Sequence, residues 1–378
     1  MKSKILFIVS SLRKSGPIVV LQNIISHLDL AKYDVEIVKL TYDEPKRSIT
    51  HQFKNAGIHI HELDFSKLVI ELFPWRVAKR IEGIIAEIKP DIIHTHGYQA
   101  VLVTSRLKNP ILKIETLHCI SGEDFVLTKG RVLGTYMNLR YLKALKTFDG
   151  AAAISNSVEN YYHDHIKSLN IRVIPNGVQD LPLSVVSKED IRKKFKISPD
   201  TFVFAVVGSL IIRKDPLTII KAFKKAFPED AGSKIELWFI GKGPLYNKCI
   251  ENIAGDNRIK MLGWRANVYD YLRVADWSVS ASHSEGFGLN YIEALVAGTP
   301  MIATKIPAFS EFSKFFQELK EFEFLPGDID TLSLNLIKAT NAQIDMANMA
   351  KEAQSRFSSK SMAENYTDFY NDLINQVR

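Results

Sequence analysis

The chain has 378 residues, 46% of them hydrophobic and 24% charged, with a formal net charge of +7. That length exceeds what one hydrophobic core usually supports and points to about two domains, and the ordinary composition excludes a disordered or fibrous chain. No apolar run approaches the ~20 residues of a membrane-spanning helix, and two cysteines, Cys119 and Cys249, exclude a disulfide framework or a cysteine metal cluster and fit a reducing cytoplasm.

The excess charge is unevenly spread. Residues 1–176 carry 24 Lys/Arg against 17 Asp/Glu, while 177–378 carry 25 against 25. The first half is therefore expected to meet something anionic, and a bilayer surface fits better than nucleic acid, for which no recognition motif is present.

In chain order, "KILFIVS" reads as a buried first strand, because its apolar core, Ile5 to Val9, is shorter than the ~7–15 residues of a secretory signal. The strands "VEIVKL", "IHIHEL", "DIIHTH", "ILKIETLH", "GAAAISN" and "IRVIPN" follow, separated by helical patterns such as "VVLQNIISHL" and "WRVAKRIEGIIAEI". The second half repeats the scheme with "TFVFAVVG", "KIELWFIG", "RIKMLGW", "WSVSAS" and "TPMIAT". Continuous apolar strands joined by helices imply parallel sheets covered on both faces, and two such series imply two doubly wound α/β domains. The boundary is expected in Ile174–Asp190, where Pro175, Asn176 and Gly177 punctuate a strand end. One large sheet with an insertion is the alternative.

The first candidate site is "SSLRKSGPIVVLQNI", where Gly16 and Pro17 lie between the first strand and the first helix. Proline suits a first helical turn, and glycine before it permits close approach of a phosphate, although a plain structural turn reads equally well. The spacing is not the dinucleotide fingerprint, which disfavours a nicotinamide cofactor. Next, His94 and His96 in "DIIHTHG" alternate as in a strand with one side in the core; a structural role is expected for His94, and His96 stays open. His118 ends the strand "ILKIETLH", at a sheet edge. His163 and His165 read as solvated helix residues. The segment 128–148 carries Lys129, Arg131, Arg140, Lys143 and Lys146 with no acidic residue, and Tyr136, Met137, Leu139, Tyr141, Leu142 and Leu145 intervene. It reads as a basic helix that lies on an anionic membrane or, alternatively, packs on the sheet with a charged outer face.

In "VVGSLIIRKDPLTIIKAF", Gly208 ends a strand, Arg213 and Lys214 occupy the loop, and Asp215–Pro216 opens a helix as N-cap and first residue. Two cations beside a helix start can neutralise a departing diphosphate; a pair of solvated loop charges is the other reading. Last comes "HSEGFGLNYIEALVAGTPMIAT". Glu285, Gly286, Phe287 and Gly288 form a strand-to-helix turn, and Leu289 starts a helix that carries Glu293 and ends at Gly298. Ligands of doubly wound domains bind at this carboxyl edge. Backbone N–H groups there attract phosphate or sugar oxygens, and carboxylates suit the hydroxyls of a diol. The combination reads as a nucleotide-sugar site. Either glutamate taken alone reads as an ordinary solvated or dipole-complementing charge.

"SEGFGLNYIEALVAGTPMIAT" resembles the signature of the retaining glycosyltransferases of family 4, with Glu285 and Glu293 matching its Glu-x7-Glu motif. Further matches run along most of the chain: "PDIIHTHG", "ETLH", "IPNGV", "GKGPL", "MLGW" and the terminal "FSSKSMAENYTDFYNDL". The resemblance implies a GT-B fold, two Rossmann-like domains facing a central cleft. The expected division is 1–178 for an acceptor-binding domain, with a C-terminal helix at about 361–378 packing back on it, and 179–360 for a donor-binding domain.

By the same resemblance, Glu293 binds the ribose hydroxyls, and Glu285 with the amides of Gly286, Phe287, Gly288 and Leu289 holds the donor sugar and phosphates. Lys214 matches the lysine on the diphosphate. The preceding basic position of the family pattern is Ser209 here, and Arg213 is placed to compensate; the family's glycine pair is reduced to Ser15–Gly16. His118 lines the donor-sugar pocket. The implied chemistry is front-side transfer of a hexose or N-acetylhexosamine from a nucleotide diphosphate sugar, with UDP the usual nucleotide, to a saccharide or lipid-linked acceptor, with no metal or cofactor, no enzymatic nucleophile, and no nucleic-acid partner. Catalytic roles fall to His118, Lys214 and Glu285. The setting implied is surface-polysaccharide synthesis in the cytoplasm or on the inner membrane face. Two other classes share this shape: a nucleotide-sugar epimerase and a non-catalytic partner protein.

Overall fold

The computed structural model describes residues 2–179, 187–228 and 234–377. The inter-domain stretch expected at Ile174–Asp190 and the last residue of the C-terminal helix therefore fall partly outside the described residues. Contacts divide the chain into two compact units, Met1–Gln179 with Phe357–Arg378, and Asp180–Arg356.

The first unit is built on a seven-stranded sheet of order β3-β2-β1-β4-β5-β6-β7. Its strands are β1 Ser3–Val9, β2 Tyr33–Lys39, β3 His59–Glu62, β4 Ile92–His96, β5 Leu112–Leu117, β6 Gly150–Ala153 and β7 Asn170–Val173. Every pairing is parallel. The apolar run in β1 shows why. Ile5, Phe7 and Val9 join a core with helix Gly16–His27 and the C-terminal helix Ser359–Val377, while Leu6 and Ile8 join a second core with helix Pro74–Ile88. Alternating side chains thus bury both faces, which a half-exposed sheet would not require. Met362, Tyr366, Phe369, Tyr370 and Leu373 of the last helix are all in the first of these cores.

The second unit carries a six-stranded sheet of order β10-β9-β8-β11-β12-β13. Its strands are β8 Phe202–Val207, β9 Ile235–Ile240, β10 Ile259–Met261, β11 Trp277–Ser280, β12 Met301–Thr304 and β13 Glu323–Phe324, again parallel throughout. Two separate sheets dispose of the single-sheet alternative. β13 was not foreseen: two residues are too short to leave a periodic signal.

The basic segment also differs from expectation. It is not one helix: Ser121–Lys129 ends at Gly130, whose φ of 80° starts a second helix, Arg131–Leu145. The two helices pack closely at Gly134, where a Cβ would stand 2.4 Å from the Phe125 carbonyl oxygen. Among the described residues no helix is long and apolar enough to cross a membrane.

Candidate functional site

The second unit gathers charge at the carboxyl edge of its sheet. After β8 the chain passes Gly208 and the exposed Ser209 into a short 3-10 turn, Ile212–Lys214. Asp215 then adopts φ 41°, and its side chain accepts from the Thr218 N–H at 3.2 Å, capping helix Pro216–Ala226. From the neighbouring strand end, the His283 N–H donates to the Arg213 carbonyl (2.8 Å), and His283 Nε2 lies 3.1 Å from Asp215 Oδ2. These bonds lock the loop after β8 to the loop after β11.

The lock brings three charges together. Arg213 Nη1 donates to Glu285 Oε2 at 2.8 Å and to the Ser284 carbonyl at 2.5 Å, and Lys214 Nζ donates to Glu285 Oε1. The Ser282 hydroxyl also donates to Oε1, at 2.8 Å. The Glu285 side chain is 7% exposed, and its cationic partners are 22% and 19% exposed. Burial pushes the Glu285 pKa up, but Lys214 and then Arg213 outweigh it and hold the carboxyl below its usual range. The Glu285 carboxylate is thus ionised at neutral pH, with two basic side chains on it.

Glycines let the supporting loops close up. A Cβ at Gly241 would stand 1.8 Å from the Gly208 carbonyl oxygen, and one at Gly243 would stand 2.3 Å from that of Leu210. The Gly208 N–H donates to Ile240 O, and Leu210 N–H to Lys242 O. "GKGPL" therefore serves as the backrest of the β8 turn, a role for which only glycine leaves room.

The second glycine-rich turn divides its residues by role. Gly288, with φ 95°, precedes helix Leu289–Val296, and a Cβ on it would stand 2.3 Å from the Phe309 ring. Phe287 is 5% exposed and packs edge-on against Phe312, 5.1 Å away. Its side chain is a core element, so any ligand contact from Phe287 is left to its backbone amide, the group named in the sequence expectation. Gly286 and Leu289 are part-buried on either side. Glu293 is half-buried on the second turn of the helix, and its charge, after burial, is the next cause raising the Tyr269 phenol. Asn290 was missed by sequence reasoning: its Oδ1 is buried with no hydrogen-bond partner.

The first unit holds the other expected residues. Gly16 opens its helix exposed, and a Cβ there would have nothing within 4 Å, so packing does not demand glycine. His118 follows β5 and pairs its Nε2 with His96 Nδ1 at 2.9 Å. His94, fully buried, lies 2.8 Å from both the Tyr370 hydroxyl and the Thr116 hydroxyl, and Thr116 lies 2.9 Å from the Tyr366 hydroxyl. His94 is thus a structural histidine. His96 Nε2 is buried without a partner. Burial lowers all three imidazoles, His118 to about 3, so the row is neutral at pH 7. His163 and His165 are exposed on helix Asn156–His165.

Glu115 escaped the sequence reading, although a lone carboxylate inside an apolar strand was the available signal. It is fully buried, and burial raises its pKa to about 8 against hydrogen bonds from Thr95, Gly97 and Tyr141. The Gly97 N–H donates to Oε1 at 3.0 Å and the Tyr141 hydroxyl at 2.8 Å. The Thr95 hydroxyl has one proton but two acceptors within reach, the carboxyl and the Ile114 carbonyl. A protonated Glu115 donating to Thr95 satisfies both.

At the carboxyl edge of the same sheet a cavity of about 240 Å3 is lined by Ser10, Ser11, Arg13, Thr41, Lys67 and Gln99, among others. On the basic hairpin, Val132, Leu133, Tyr136 and Leu139 are exposed, as are Leu68, Leu72 and Trp75 nearby in sequence to Glu71. Arg140 is not a free surface cation: its Nη1 and Nη2 hold the Glu71 carboxylate and carbonyl, each at 3.1 Å. Lys129, Arg131, Lys143 and Lys146 are exposed.

Two parallel doubly wound sheets, one with a basic pair and a carboxylate at its carboxyl edge, define the GT-B class of glycosyltransferase. Residues 187–356 match the family described as glycosyl transferases group 1, and residues 15–180 match Glycosyltransferase Family 4. The chain belongs to this group 1, family-4-like set of GT-B glycosyltransferases, and it is an enzyme of that class. It is 26% identical, over 99% of both chains, to the O-antigen biosynthesis glycosyltransferase WclY of Escherichia coli. It is 27% identical, over 76% of both, to UDP-Gal:alpha-D-GlcNAc-diphosphoundecaprenol alpha-1,3-galactosyltransferase of the same species. Among solved structures, Anabaena HepE in complex with UDP superimposes with a TM-score of 0.77 at 17% identity, covering 98% of this chain and 100% of that one.

Proposed function

We propose that the enzyme transfers a hexose or N-acetylhexosamine from a UDP-sugar to a saccharide or lipid-linked saccharide, with retention of configuration and without a metal. The observation that carries this reading is the Arg213–Lys214–Glu285 cluster at the carboxyl edge of the second sheet. The diphosphate binds beside Lys214, Arg213 and the amides of Gly286–Leu289, the ribose diol meets Glu293, and the sugar meets Glu285. As the bond from the anomeric carbon to the diphosphate oxygen breaks, the acceptor oxygen bonds to that carbon on the same face. The acceptor's proton passes to the leaving diphosphate, whose charge Lys214 stabilises.

The UDP named for the galactosyltransferase relative and for HepE supports the choice of nucleotide. The O-antigen relative supports a product in surface polysaccharide. The first unit takes the acceptor, with His118 supplying a neutral hydrogen-bonding ring and the exposed Gly16 leaving room at the start of its helix. The exposed Val132, Leu133, Tyr136 and Leu139, with Lys129, Arg131 and Lys143, form a surface suited to an anionic bilayer.

The test is turnover of a panel of labelled nucleotide sugars in the presence of EDTA, with and without undecaprenyl-diphosphate saccharides. Acceptor-dependent release of UDP and an axial-to-axial anomeric outcome by NMR are expected. Isomerised donor without acceptor would indicate an epimerase, and failure of every donor to turn over or bind would refute the site.

A further inference from the structure

Histidines gather at one place outside this site. β3 is the edge strand of the first sheet, and its neighbour β2 pairs Glu36 with His59 and Val38 with His61. Side chains alternate along a strand, so His59 and His61 leave the same face, and Glu36, directly opposite His59, leaves that face too. His61 Nε2 stands 2.6 Å from Glu36 Oε2. The two imidazole rings are 4.5 Å apart, nearly perpendicular, and one donor atom from each of the three residues lies within 4.8 Å of the others. His59 is exposed, while His61 and Glu36 are 18% and 22% exposed.

Their surroundings leave this trio unexplained by packing. Leu6 and Val38 on the same face are buried and apolar, as a core requires. The nearby cations are engaged elsewhere: Lys39 and Lys54 both bind Glu62, which alternation places on the opposite face. The trio also lies away from the carboxyl edge where the candidate substrate residues collect, with His59 opening β3 and Glu36 in the middle of β2.

We propose that Glu36, His59 and His61 form a divalent transition-metal site, suited to Zn2+, that clamps edge strand β3 to β2. Two imidazoles and one carboxylate select Zn2+, Ni2+ or Cu2+ over the oxygen-seeking Ca2+ and Mg2+. Zinc takes such donors at about 2.0–2.2 Å, which sets neighbouring donors roughly 3.3 Å apart in a tetrahedral shell. The His61–Glu36 pair has already converged, and the exposed His59 closes the remainder by a rotamer change. Three protein ligands leave the fourth position to water. The consequence is structural: a four-residue edge strand, with one side of its backbone unpaired, gains a cross-link to the strand it leans on.

The test uses the full chain, stripped of metal with EDTA and then freed of chelator. Cobalt(II) is titrated in as a coloured probe, and Zn2+ competes. One equivalent per chain with ligand-field absorption of a low-coordinate site, displaced by Zn2+, is expected, together with a rise in thermal midpoint on adding Zn2+. His59→Ala, which leaves the core untouched, and Glu36→Gln each weaken binding about tenfold or more and abolish the thermal shift, whereas His118→Ala leaves both intact. Absence of stoichiometric binding overturns the proposal, and so does undiminished affinity in the His59 and Glu36 variants, which would place the metal elsewhere.

Discussion

The carboxyl edges of the two sheets solve the same problem with opposite electrostatics. In the second unit, two cations converge on one ionised carboxylate, and each of these groups keeps some access to solvent or to its neighbours. In the first unit, His94, His96 and His118, and Glu115 on the opposite face of the same sheet, are all held neutral by burial. A charged edge binds and discharges anions, whereas a neutral one orders hydroxyls without competing for phosphate. Under the proposed function the charged edge serves the donor and the neutral edge the acceptor, and the contrast can be measured.

The sharpest break comes from Lys214→Ala. Under the proposed function this removes a cation from the departing diphosphate, which is expected to lower kcat by about 10^2–10^3-fold with a smaller change in donor KM. Steady-state kinetics on the variant decides it, and unchanged turnover would leave the ionic edge without a catalytic role.

Glu115→Gln probes the neutral edge. The native carboxyl keeps its proton to about pH 8, whereas the unfolded one releases it near 4.5. Across that window the folded chain binds the extra proton, so stability falls as pH rises, by on the order of a few kcal/mol in total, and above about pH 8 the full loss is present. Glutamine can accept from Gly97 and Tyr141 and donate to Thr95 without titrating. Urea unfolding at pH 5 and pH 8 should therefore show a flatter pH dependence in the variant. Parallel slopes would mean the carboxyl is not the buried acid described.

Gly241→Ala tests the scaffold beneath the ionic edge. Its Cβ would meet the backbone oxygen of Gly208, and neither group can rotate away, so a loss of about 1–3 kcal/mol is expected in thermal or chemical unfolding. Glu293→Ala should raise donor KM by roughly tenfold at nearly constant kcat, since the diol contact of the proposed function would be made equally in ground and transition states. The smallest effect concerns the histidine row. NMR titration should reveal no imidazole of His94, His96 or His118 gaining a proton between pH 5 and 8, and a midpoint near the usual value for any of them would dissolve the contrast.

Local features were legible in advance. Apolar runs with helical spacers announced parallel sheets, Asp215–Pro216 announced a capped helix start, and the turn before Leu289 announced a glycine-dependent bend, because each depends on neighbours within a few residues. The alternation of His94 and His96 was enough to mark His94 as a core residue. Its partners were not legible: Tyr370 is 276 positions away. Glu115 was overlooked for a related reason, since a carboxylate in a strand signals burial only once the strand is known to be central.

The amino-acid order alone thus determined the class of fold, carried by short-range pattern and turn chemistry, while Glu285, Glu293 and the basic pair were singled out by their resemblance to a family motif. Only the tertiary structure decided that Arg213 and Lys214 grip Glu285 across 72 and 71 positions, that Phe287 serves the core, and that Arg140 clamps Glu71 while its basic neighbours stay exposed. Those outcomes depend on which loops the parallel crossovers bring to one sheet edge, and on which groups burial strips of water, neither of which is encoded in local spacing.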